Sequence, residues 1–287
     1  MADSEAGEKV KRLVTSVTDF YLEERGGKEF LETFRKHWPK SVELLIYYEG
    51  DRLFEDEENI KWHWIEEVEG WPAWERRLNH FPVLTGKVGN KYEVQLDARH
   101  WRKPFMAAQV ISQFGGKVFW LDADVVTFKD IPDTFLDDCL PDDKVVCYLG
   151  RKGFYSETGF IGYNGYHELL PHFFRMYIDF FKSGAIFTQP SWHDCQGFDV
   201  VRQMINRPDL FLDLAADLPE NMHPFVNSVC GNYMDHMKGK RKGYGSWKED
   251  LVVEKEGDYW KERIARPGFA TPPDSSIAMN LQSLGQK

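Results

Sequence analysis

A short apolar segment that ends in two acidic residues constrains the fold of this chain more than any other feature. Residues 118–121 (Val-Phe-Trp-Leu) run directly into Asp122-Ala-Asp124. A short continuous apolar run is typical of a strand that is buried on both faces of a parallel sheet. In open α/β sheets, ligands bind beyond the carboxyl ends of such strands. The sequence therefore predicts a buried strand that delivers two carboxylates to a ligand-binding crevice.

These two carboxylates have the chemistry of a site for a hard cation. Carboxylate oxygens suit Mg²⁺ and Mn²⁺, and two of them leave coordination positions free for phosphate oxygens. A simpler interpretation is that Asp122 and Asp124 cap the following turn. That interpretation explains one aspartate better than two, because carboxylates are seldom buried without a partner. We therefore predict that both aspartates hold a metal ion.

The flanking segments predict alternating strands and helices. Apolar runs predict strands over 12–17, 42–48 and 144–149, a short strand within 207–218, and a Gly-punctuated apolar segment over 156–164. Helical spacing predicts helices over 28–37, 98–114, 166–183 and 191–206, and residues 132–140 form a short helix or a turn. This alternation indicates a Rossmann-like α/β fold. The pattern G-x-G-x-x-G is absent, so no dinucleotide site is indicated. We expect one domain over residues 1–270 and a loose tail over 271–287.

Composition narrows the class of protein. The 287 residues carry 36 Lys and Arg against 46 Asp and Glu, a net charge of −10 that weighs against general nucleic-acid binding. The four cysteines have neither metal nor disulfide spacing, which favours reduced thiols. No apolar run approaches the length of a membrane span, and the polar N-terminus is not typical of a signal peptide. We predict a cytoplasmic protein without a membrane span.

The helix predicted over residues 98–114 begins with a cluster of cationic side chains. Its spacing places Phe105, Ala108 and Ile111 on the buried face. Positive charge in the first turns opposes the helix dipole, which suggests that Arg99 and Lys103 face a bound anion. The alternative is that both belong to a solvated surface.

Four tryptophans lie close together between the second strand and this helix. They are Trp62, Trp64, Trp71 and Trp74. Aromatic clusters usually pack within a core, and we favour that interpretation here. The alternative is that one of them stacks on a sugar or a base.

The apolar strand with Asp-x-Asp and three later segments together resemble the GT-A nucleotide-sugar glycosyltransferases, and among these the retaining, glycogenin-like family 8. Residues 156–164 resemble the family's Asn-x-Gly-apolar segment, with Glu157 where Asn is usual. Residues 192–196 resemble its Asp-Gln motif, with Cys195 intervening. Residues 236–242 fit its H-x-x-G-x-x-K motif, although the Pro-Trp that usually follows is absent. The resemblance covers roughly residues 12–245.

The resemblance implies a GT-A fold, a mixed and mostly parallel sheet flanked by helices in a single domain. It also implies that His236 joins Asp122 and Asp124 as the third ligand of Mn²⁺ or Mg²⁺. Gly239 and Lys242 would contact the diphosphate of the donor. The donor would be a nucleoside-diphosphate sugar, with UDP favoured, and the sugar would pass to an acceptor hydroxyl with retention of configuration.

Elementary chemistry agrees with these roles. Breaking a sugar–diphosphate bond concentrates negative charge on the leaving group, which a divalent cation neutralises. Lys242, with Arg99 or Lys103, would add fixed positive charge. Asp194 and Glu157 are the candidates for holding the donor sugar or stabilising the reacting carbon. In an inverting enzyme, one of these two carboxylates would instead be the general base.

Two other classes of protein remain open. Residues 122–126 also fit the D-x-D-x-[TV] motif of haloacid-dehalogenase-like phosphatases, in which Asp122 would be the nucleophile. That motif usually lies near the start of a chain, and Gly257-Asp258 matches the later acidic motif poorly. A lectin-like binder without catalytic activity is the third class, and it would not require a metal site shaped for a diphosphate.

The acceptor is not determined by any motif. A saccharide, a lipid-linked sugar, a protein and a modified base in DNA are all compatible with the chain. Lys238–Lys242 with Arg263 and Arg266 would provide a basic rim for DNA. The negative net charge opposes that acceptor, and a saccharide is favoured.

Overall fold

A computed structural model describes residues 10–220, 222–237, 251, 255 and 257–265 of the chain. Its strands are β1 (Lys11–Thr18), β2 (Val42–Glu49), β3 (Ile60–Trp64), β4 (Thr85–Val88), β5 (Lys91–Asp97), β6 (Lys117–Leu121), β7 (Val125–Thr127), β8 (Val146–Leu149), β9 (Glu157–Asn164), β10 (Phe211–Asp213) and β11 (Met234–His236). Its α-helices are α1 (Asp19–Glu24), α2 (Gly27–His37), α3 (Trp71–Asn79), α4 (Arg102–Phe114), α5 (Phe135–Cys139), α6 (Leu170–Lys182), α7 (Asp194–Ile205), α8 (Pro224–Asn227) and α9 (Asp258–Ala265). Short 3₁₀ helices span Ile65–Glu67, Pro82–Leu84, Ala98–Trp101, Ala185–Thr188, Pro208–Leu210 and Val229–Asn232.

A seven-stranded sheet forms the centre of the molecule, in the order β10-β8-β9-β6-β1-β2-β3. β1 is parallel to β2 and to β6, and β2 is parallel to β3. β9 runs antiparallel to both of its neighbours, β6 and β8. The predicted mixed, mostly parallel α/β sheet is therefore confirmed. The chain moves outward from β1 through β2 to β3 and returns as β6 on the other side of β1, so a crevice opens at the carboxyl ends of β1 and β6.

The predicted elements that contain continuous apolar runs are confirmed. β1, β2, β6 and β8 occupy the predicted strands, and the Gly-punctuated segment forms β9, which is buried throughout. Gly162 of β9 is required by packing, since a Cβ there would lie 2.4 Å from a carbon of the Phe119 ring. Gly162 thus lets the Phe119 ring of the neighbouring strand β6 pack closely against the backbone of β9.

Several elements between β2 and α4 were not predicted. These are β3, α3 and the antiparallel hairpin of β4 and β5. β3 is the edge strand of the sheet, and most of its residues are only partly buried. Such a strand lacks the continuous apolar run that identifies the central strands. Trp71 and Trp74 are buried in the core, which confirms the packing interpretation for these two residues.

Side chains of the central strands alternate between two apolar layers, one on each face of the sheet. Val118 and Trp120 of β6 belong to the layer that also contains α4 and α6. Phe119 and Leu121 belong to the opposite layer, which contains α2 and α5. This alternation follows from strand geometry, in which successive side chains point to opposite faces.

Two further predictions concern membrane-spanning helices and the cysteines. Among the described residues, there is no helix whose length and apolar character would let it cross a membrane. The four cysteines, all within the described residues, are free thiols. The predicted tail over 271–287 lies outside the described residues, so the proposed division of the chain stays a prediction.

Truncation of a core leucine should destabilise the fold far more than the same change on the surface. Leu45 of β2 is 1% exposed, whereas Leu53 is 88% exposed. We expect Leu45→Ala to lower the free energy of unfolding by about 2–5 kcal/mol, because it removes buried methyl groups and leaves a cavity. Leu53→Ala should change it by less than about 0.5 kcal/mol. Urea unfolding followed by circular dichroism measures both, and equal losses would contradict the assigned core.

Candidate functional site

Strand pairing brings His236 to the acidic end of β6, although 112 positions separate it from Asp124. β7 follows the Asp-x-Asp segment and pairs antiparallel with β11, so that His236 lies opposite Val125. The backbone N–H of Met237 donates to the carbonyl oxygen of Asp124 at 2.9 Å. The register of this small two-stranded sheet therefore fixes His236 beside the acids.

Three side chains form a compact set of potential metal ligands. His236 Nε2 lies 3.0 Å from Asp124 Oδ1 and 3.6 Å from Asp122 Oδ2. One ligand atom from each of the three residues lies within 4.8 Å of the others. His236 is fully buried and Asp124 is 5% exposed. Two carboxylates and one imidazole fit a divalent cation such as Mn²⁺, and the donor set predicted from the sequence is thus assembled in space.

Lys103 lies at the centre of the same cluster as a buried cation. Its Nζ lies 2.9 Å from Asp122 Oδ1 and 3.2 Å from Asp194 Oδ2. It also donates to the carbonyl oxygen of Thr158 at 3.2 Å. Burial alone would lower the pKa of Lys103, but the charges of Asp122 and Asp194 outweigh it and raise the pKa above its usual range. Lys103 is therefore held as a permanent positive charge between two carboxylates.

The helix that carries Lys103 is rotated relative to the sequence prediction. Residues Ala98–Trp101 form a 3₁₀ turn, and α4 begins only at Arg102. A 3₁₀ turn has 3.0 residues where an α-helix has 3.6, so it shifts the face that follows. Phe105 is buried as predicted, but Ala108 and Ile111 are only partly buried. The buried face instead includes Lys103, and the interpretation of Lys103 as part of a solvated surface is wrong.

Asp194 begins α7 and is 2% exposed. Burial opposes its charge, yet Lys103 first, and then His100 and His193, hold the pKa of this carboxyl below its usual range. Asp194 is therefore ionised at neutral pH. An ionised carboxylate can stabilise developing positive charge, and a carboxylate whose pKa is lowered is a poorer proton acceptor than an ordinary one.

Glu157, the first residue of β9, is 3% exposed and fixed at both carboxylate oxygens. Oε2 accepts a hydrogen bond from the Arg151 guanidinium at 2.8 Å, and Oε1 accepts from the backbone N–H of Gly159 at 3.1 Å. Oε1 also lies 3.7 Å from His236 Nδ1. Glu157 thus borders the ligand cluster on the side of the histidine ring.

Of the remaining predicted site residues, only Arg99 lies within the described part of the chain. Arg99 forms a two-point ion pair with Asp97, at 2.9 and 2.6 Å, and its side chain is 40% exposed. The structure therefore places Arg99 in a local ion pair, and contact with a phosphate stays a prediction. Gly239 and Lys242 lie outside the described residues, and their roles stay predictions as well.

Two residues near the cluster were not identified from the sequence. Tyr21 of α1 is partly buried, and burial followed by the charges of Asp124 and Asp122 raises the pKa of its phenol. Its position just after the carboxyl end of β1 is the signal that could have identified it. Arg151, the partner of Glu157, follows β8 by two positions and has no motif that would reveal it.

A second group of metal-binding residue types lies at the start of α7. His193, Asp194 and Cys195 place one ligand atom each within 4.8 Å of the others. They are consecutive in the chain, so covalent geometry alone brings them together. Because Asp194 is already paired with Lys103, we assign no metal site to this group.

Comparisons with known proteins give only distant likenesses. No protein-family model and no curated protein matches the sequence. Among solved structures, mouse xyloside xylosyltransferase 1 in its apo form is similar over 72% of this chain and 86% of its own, with a TM-score of 0.43 and 12% identity. A glycosyltransferase involved in the glycosylation of the major capsid of PBCV-1 is similar over 81% of this chain and 96% of its own, with a TM-score of 0.45 and 14% identity.

The glycosyltransferase GlyE of Streptococcus pneumoniae TIGR4 gives a comparable value, a TM-score of 0.43 at 11% identity, over 71% of this chain. This chain spans less than half of GlyE, since the similarity covers 44% of that protein. Likenesses at this level establish neither a family nor an activity. We therefore base the functional proposal on the side chains of the site.

His100 lies beside the cluster as a partly buried, neutral imidazole. Its ring stacks on His193 with centroids 5.0 Å apart. Its Nε2 is buried and finds no hydrogen-bond partner among the described residues. Burial lowers the pKa of His100 from 6.5 to about 4.

This shift predicts a pH dependence of stability. The unfolded chain takes up a proton at His100 near pH 6.5, whereas the folded chain takes it up only near pH 4. The contribution is therefore complete above pH 6.5 and is lost as the pH falls towards about 4, by up to about 3 kcal/mol. We expect His100→Gln to flatten the urea-unfolding free energy across this window, and exposed His80→Gln to leave the wild-type slope. A parallel wild-type and His100→Gln dependence would contradict the assignment.

Proposed function

We propose that this protein is a metal-dependent glycosyltransferase that moves a sugar from a nucleoside-diphosphate sugar to an acceptor hydroxyl. The observation that carries the proposal is the convergence of Asp122, Asp124 and His236 at the crevice beside β1 and β6. Two separate parts of the chain contribute these residues, and strand pairing fixes their geometry. Crevices at this position of an α/β sheet bind nucleotides, and the donor set leaves room for phosphate oxygens.

Positively charged groups of the chain itself would stabilise the negative charge of a departing diphosphate. A divalent cation held by Asp122, Asp124 and His236 would neutralise charge on the leaving group. Lys103 is a fixed cation in the same cluster, and its partners hold it in place before substrate binds. Preorganised charge of this kind costs no rearrangement during the reaction. Lys242 and Gly239, which follow β11 in the chain, would complete the diphosphate contacts.

The state of Asp194 favours retention of configuration. Because Lys103 and its neighbours lower the pKa of this carboxyl, it is a weak proton acceptor and suits stabilisation of a positively charged reacting carbon better than proton abstraction. In the retaining route, the acceptor hydroxyl attacks on the face of the leaving group, and a phosphate oxygen takes its proton. A protein base is then not required. We propose this route, with a UDP-linked donor and a saccharide acceptor.

The phosphatase alternative is less compatible with the site. It requires a later acidic motif, for which Asp258 is the candidate. The side chain of Asp258 is 96% exposed at the start of α9, and it pairs with Lys261 at 3.9 Å. A side chain so exposed does not belong to the buried cluster around Asp122. The phosphatase also gives no role to His236.

The described residues do not support a modified base in DNA as the acceptor. The basic rim for this acceptor consists of Lys238–Lys242 and Arg266, which lie outside the described residues, and Arg263 of α9. The net charge of −10 continues to oppose it. A saccharide remains the acceptor that we propose.

Nucleotide binding that depends on the metal ligands tests the proposal. We expect UDP to bind in the presence of Mn²⁺ and to bind much more weakly without it, as measured by isothermal titration calorimetry. Asp124→Asn should weaken Mn²⁺-dependent binding by more than about tenfold, because it removes a charged ligand while keeping the side-chain shape. The matched control is Asp51→Asn, at an exposed aspartate outside the site.

The same titration separates the three classes of protein. Equal UDP affinity in Asp124→Asn and Asp51→Asn would contradict the transferase site. Hydrolysis of simple phosphate esters without UDP binding would favour the phosphatase. Sugar binding that is independent of both nucleotide and metal would favour the lectin-like binder.

A further inference from the structure

We propose that Glu157 is a positioning residue that acts through His236, and that it does not touch the donor sugar. This inference rests on the proposed metal site, and it replaces the sequence-based role of Glu157 at the reacting carbon. It concerns a residue at which the chain departs from the family it resembles, since Asn is usual at this position.

The imidazole ring of His236 lies between Glu157 and the two aspartates. Nε2 faces Asp124 Oδ1 at 3.0 Å and Asp122 Oδ2 at 3.6 Å. Nδ1, on the other side of the ring, faces Glu157 Oε1 at 3.7 Å. Glu157 is accordingly not part of the ligand set that the two aspartates and His236 form. Its carboxylate can reach a metal ion held by Nε2 only through the histidine ring.

The two ring nitrogens have different tasks when a cation binds. A neutral imidazole carries one proton, and a nitrogen that ligates a metal must be free of it. If Nε2 ligates, the remaining proton is on Nδ1, which faces Glu157. A carboxylate at that position fixes the tautomer and the ring orientation and strengthens the ligand. Because His236 is fully buried, solvent cannot take over this role.

Glu157 is held for this task by groups on two different segments. The Arg151 guanidinium and the backbone N–H of Gly159 each bind one of its oxygens. Arg151 also balances the charge of a carboxylate that is 3% exposed. With both oxygens anchored, the side chain of Glu157 is not free to turn towards a sugar.

The backbone of β9 is shaped around the same ring. A Cβ at Gly159 would lie 2.7 Å from Cε1 and 2.9 Å from Nδ1 of His236. Real Cβ contacts are not this short, so only glycine lets the ring approach the strand. The Glu-Thr-Gly sequence of β9 thus provides both the space for His236 and a carboxylate oxygen 3.7 Å from its Nδ1. This distance is longer than a hydrogen bond, and we propose that metal binding at Nε2 draws the Nδ1 proton and this oxygen into one.

Binding of Mn²⁺ to Glu157 variants tests the inference independently of turnover. The loss of the electron paramagnetic resonance signal of free Mn²⁺ measures binding in the presence of saturating UDP. We expect Glu157→Ala to weaken Mn²⁺ binding by about 10- to 100-fold, the usual effect of removing a partner of a ligating histidine. Glu157→Gln keeps an acceptor oxygen and the side-chain volume, so it should recover part of the affinity.

Asp199→Asn provides the matched control. Asp199 of α7 is a partly buried carboxylate that binds the backbone N–H and the hydroxyl of Ser156, the residue before Glu157, at 2.8 and 2.6 Å. Asp199→Asn should leave Mn²⁺ affinity unchanged, although it alters a carboxylate that contacts the residue next to Glu157. A second readout is the ¹⁵N spectrum of His236 with a diamagnetic cation, Mg²⁺. It should show the Nδ1–H tautomer in wild type and a mixture of tautomers in Glu157→Ala.

The outcomes distinguish the inference from the proposed function. If wild type and Asp124→Asn bind Mn²⁺ equally or not at all, the proposed metal site fails. If Asp124→Asn loses Mn²⁺ but Glu157→Ala keeps wild-type affinity and tautomer, only the role of Glu157 is overturned. If Glu157→Ala keeps the affinity for Mn²⁺ and loses only turnover, Glu157 acts on the sugar and the inference is likewise wrong.

Discussion

Buried negative charge at the carboxyl end of β6 is the constraint on which the site depends. Carboxylates withdrawn from water are costly unless a cation or a hydrogen bond compensates each one. Lys103 lies between Asp122 and Asp194 and compensates both, and Arg151 compensates Glu157. Through Lys103, these contacts join α4 to the end of β6, to the start of α7 and to Thr158 of β9. A divalent cation would enter a cluster whose charges are already arranged.

The same constraint separates the carboxylates by role. Asp122 and Asp124 face Nε2 of His236 and form the proposed ligand set with it. Asp194 is paired with a lysine and stays ionised, which suits electrostatic stabilisation. Glu157 Oε1 lies 3.7 Å from Nδ1 of the same ring, a position from which we propose that it orients the histidine. Four carboxylates within one small region can thus have three different tasks, because each has a different set of neighbours.

The sequence predicts those structural elements that a local pattern of apolar and charged residues identifies. The apolar run of β6 and the Asp-x-Asp that follows it predict a buried strand with acids at its end, and both are observed. The edge strand β3 and the hairpin of β4 and β5 have no such run, and they were missed. The buried face of α4 was misplaced, because the 3₁₀ turn before it is not visible in helical periodicity.

Contacts between residues that are far apart in the chain were predicted only where a sequence motif indicated them. The approach of His236 to Asp124 was predicted through the H-x-x-G-x-x-K resemblance, whereas hydrophobic spacing contains no information about it. No sequence motif indicates the Arg151–Glu157 pair or the packing of Tyr21 near the acids. They arise from the packing of β8, β9 and α1 around β6, and only the three-dimensional structure reveals them.

The central claim is that Asp122, Asp124 and His236 together hold a divalent cation. Anomalous diffraction at the manganese edge, from crystals grown with Mn²⁺ and UDP, tests it most directly. We predict one strong anomalous peak within coordination distance of both carboxylates and of His236 Nε2, with electron density for the diphosphate beside it. A peak elsewhere, or an ordered UDP at this crevice without anomalous signal between the three side chains, would contradict the claim.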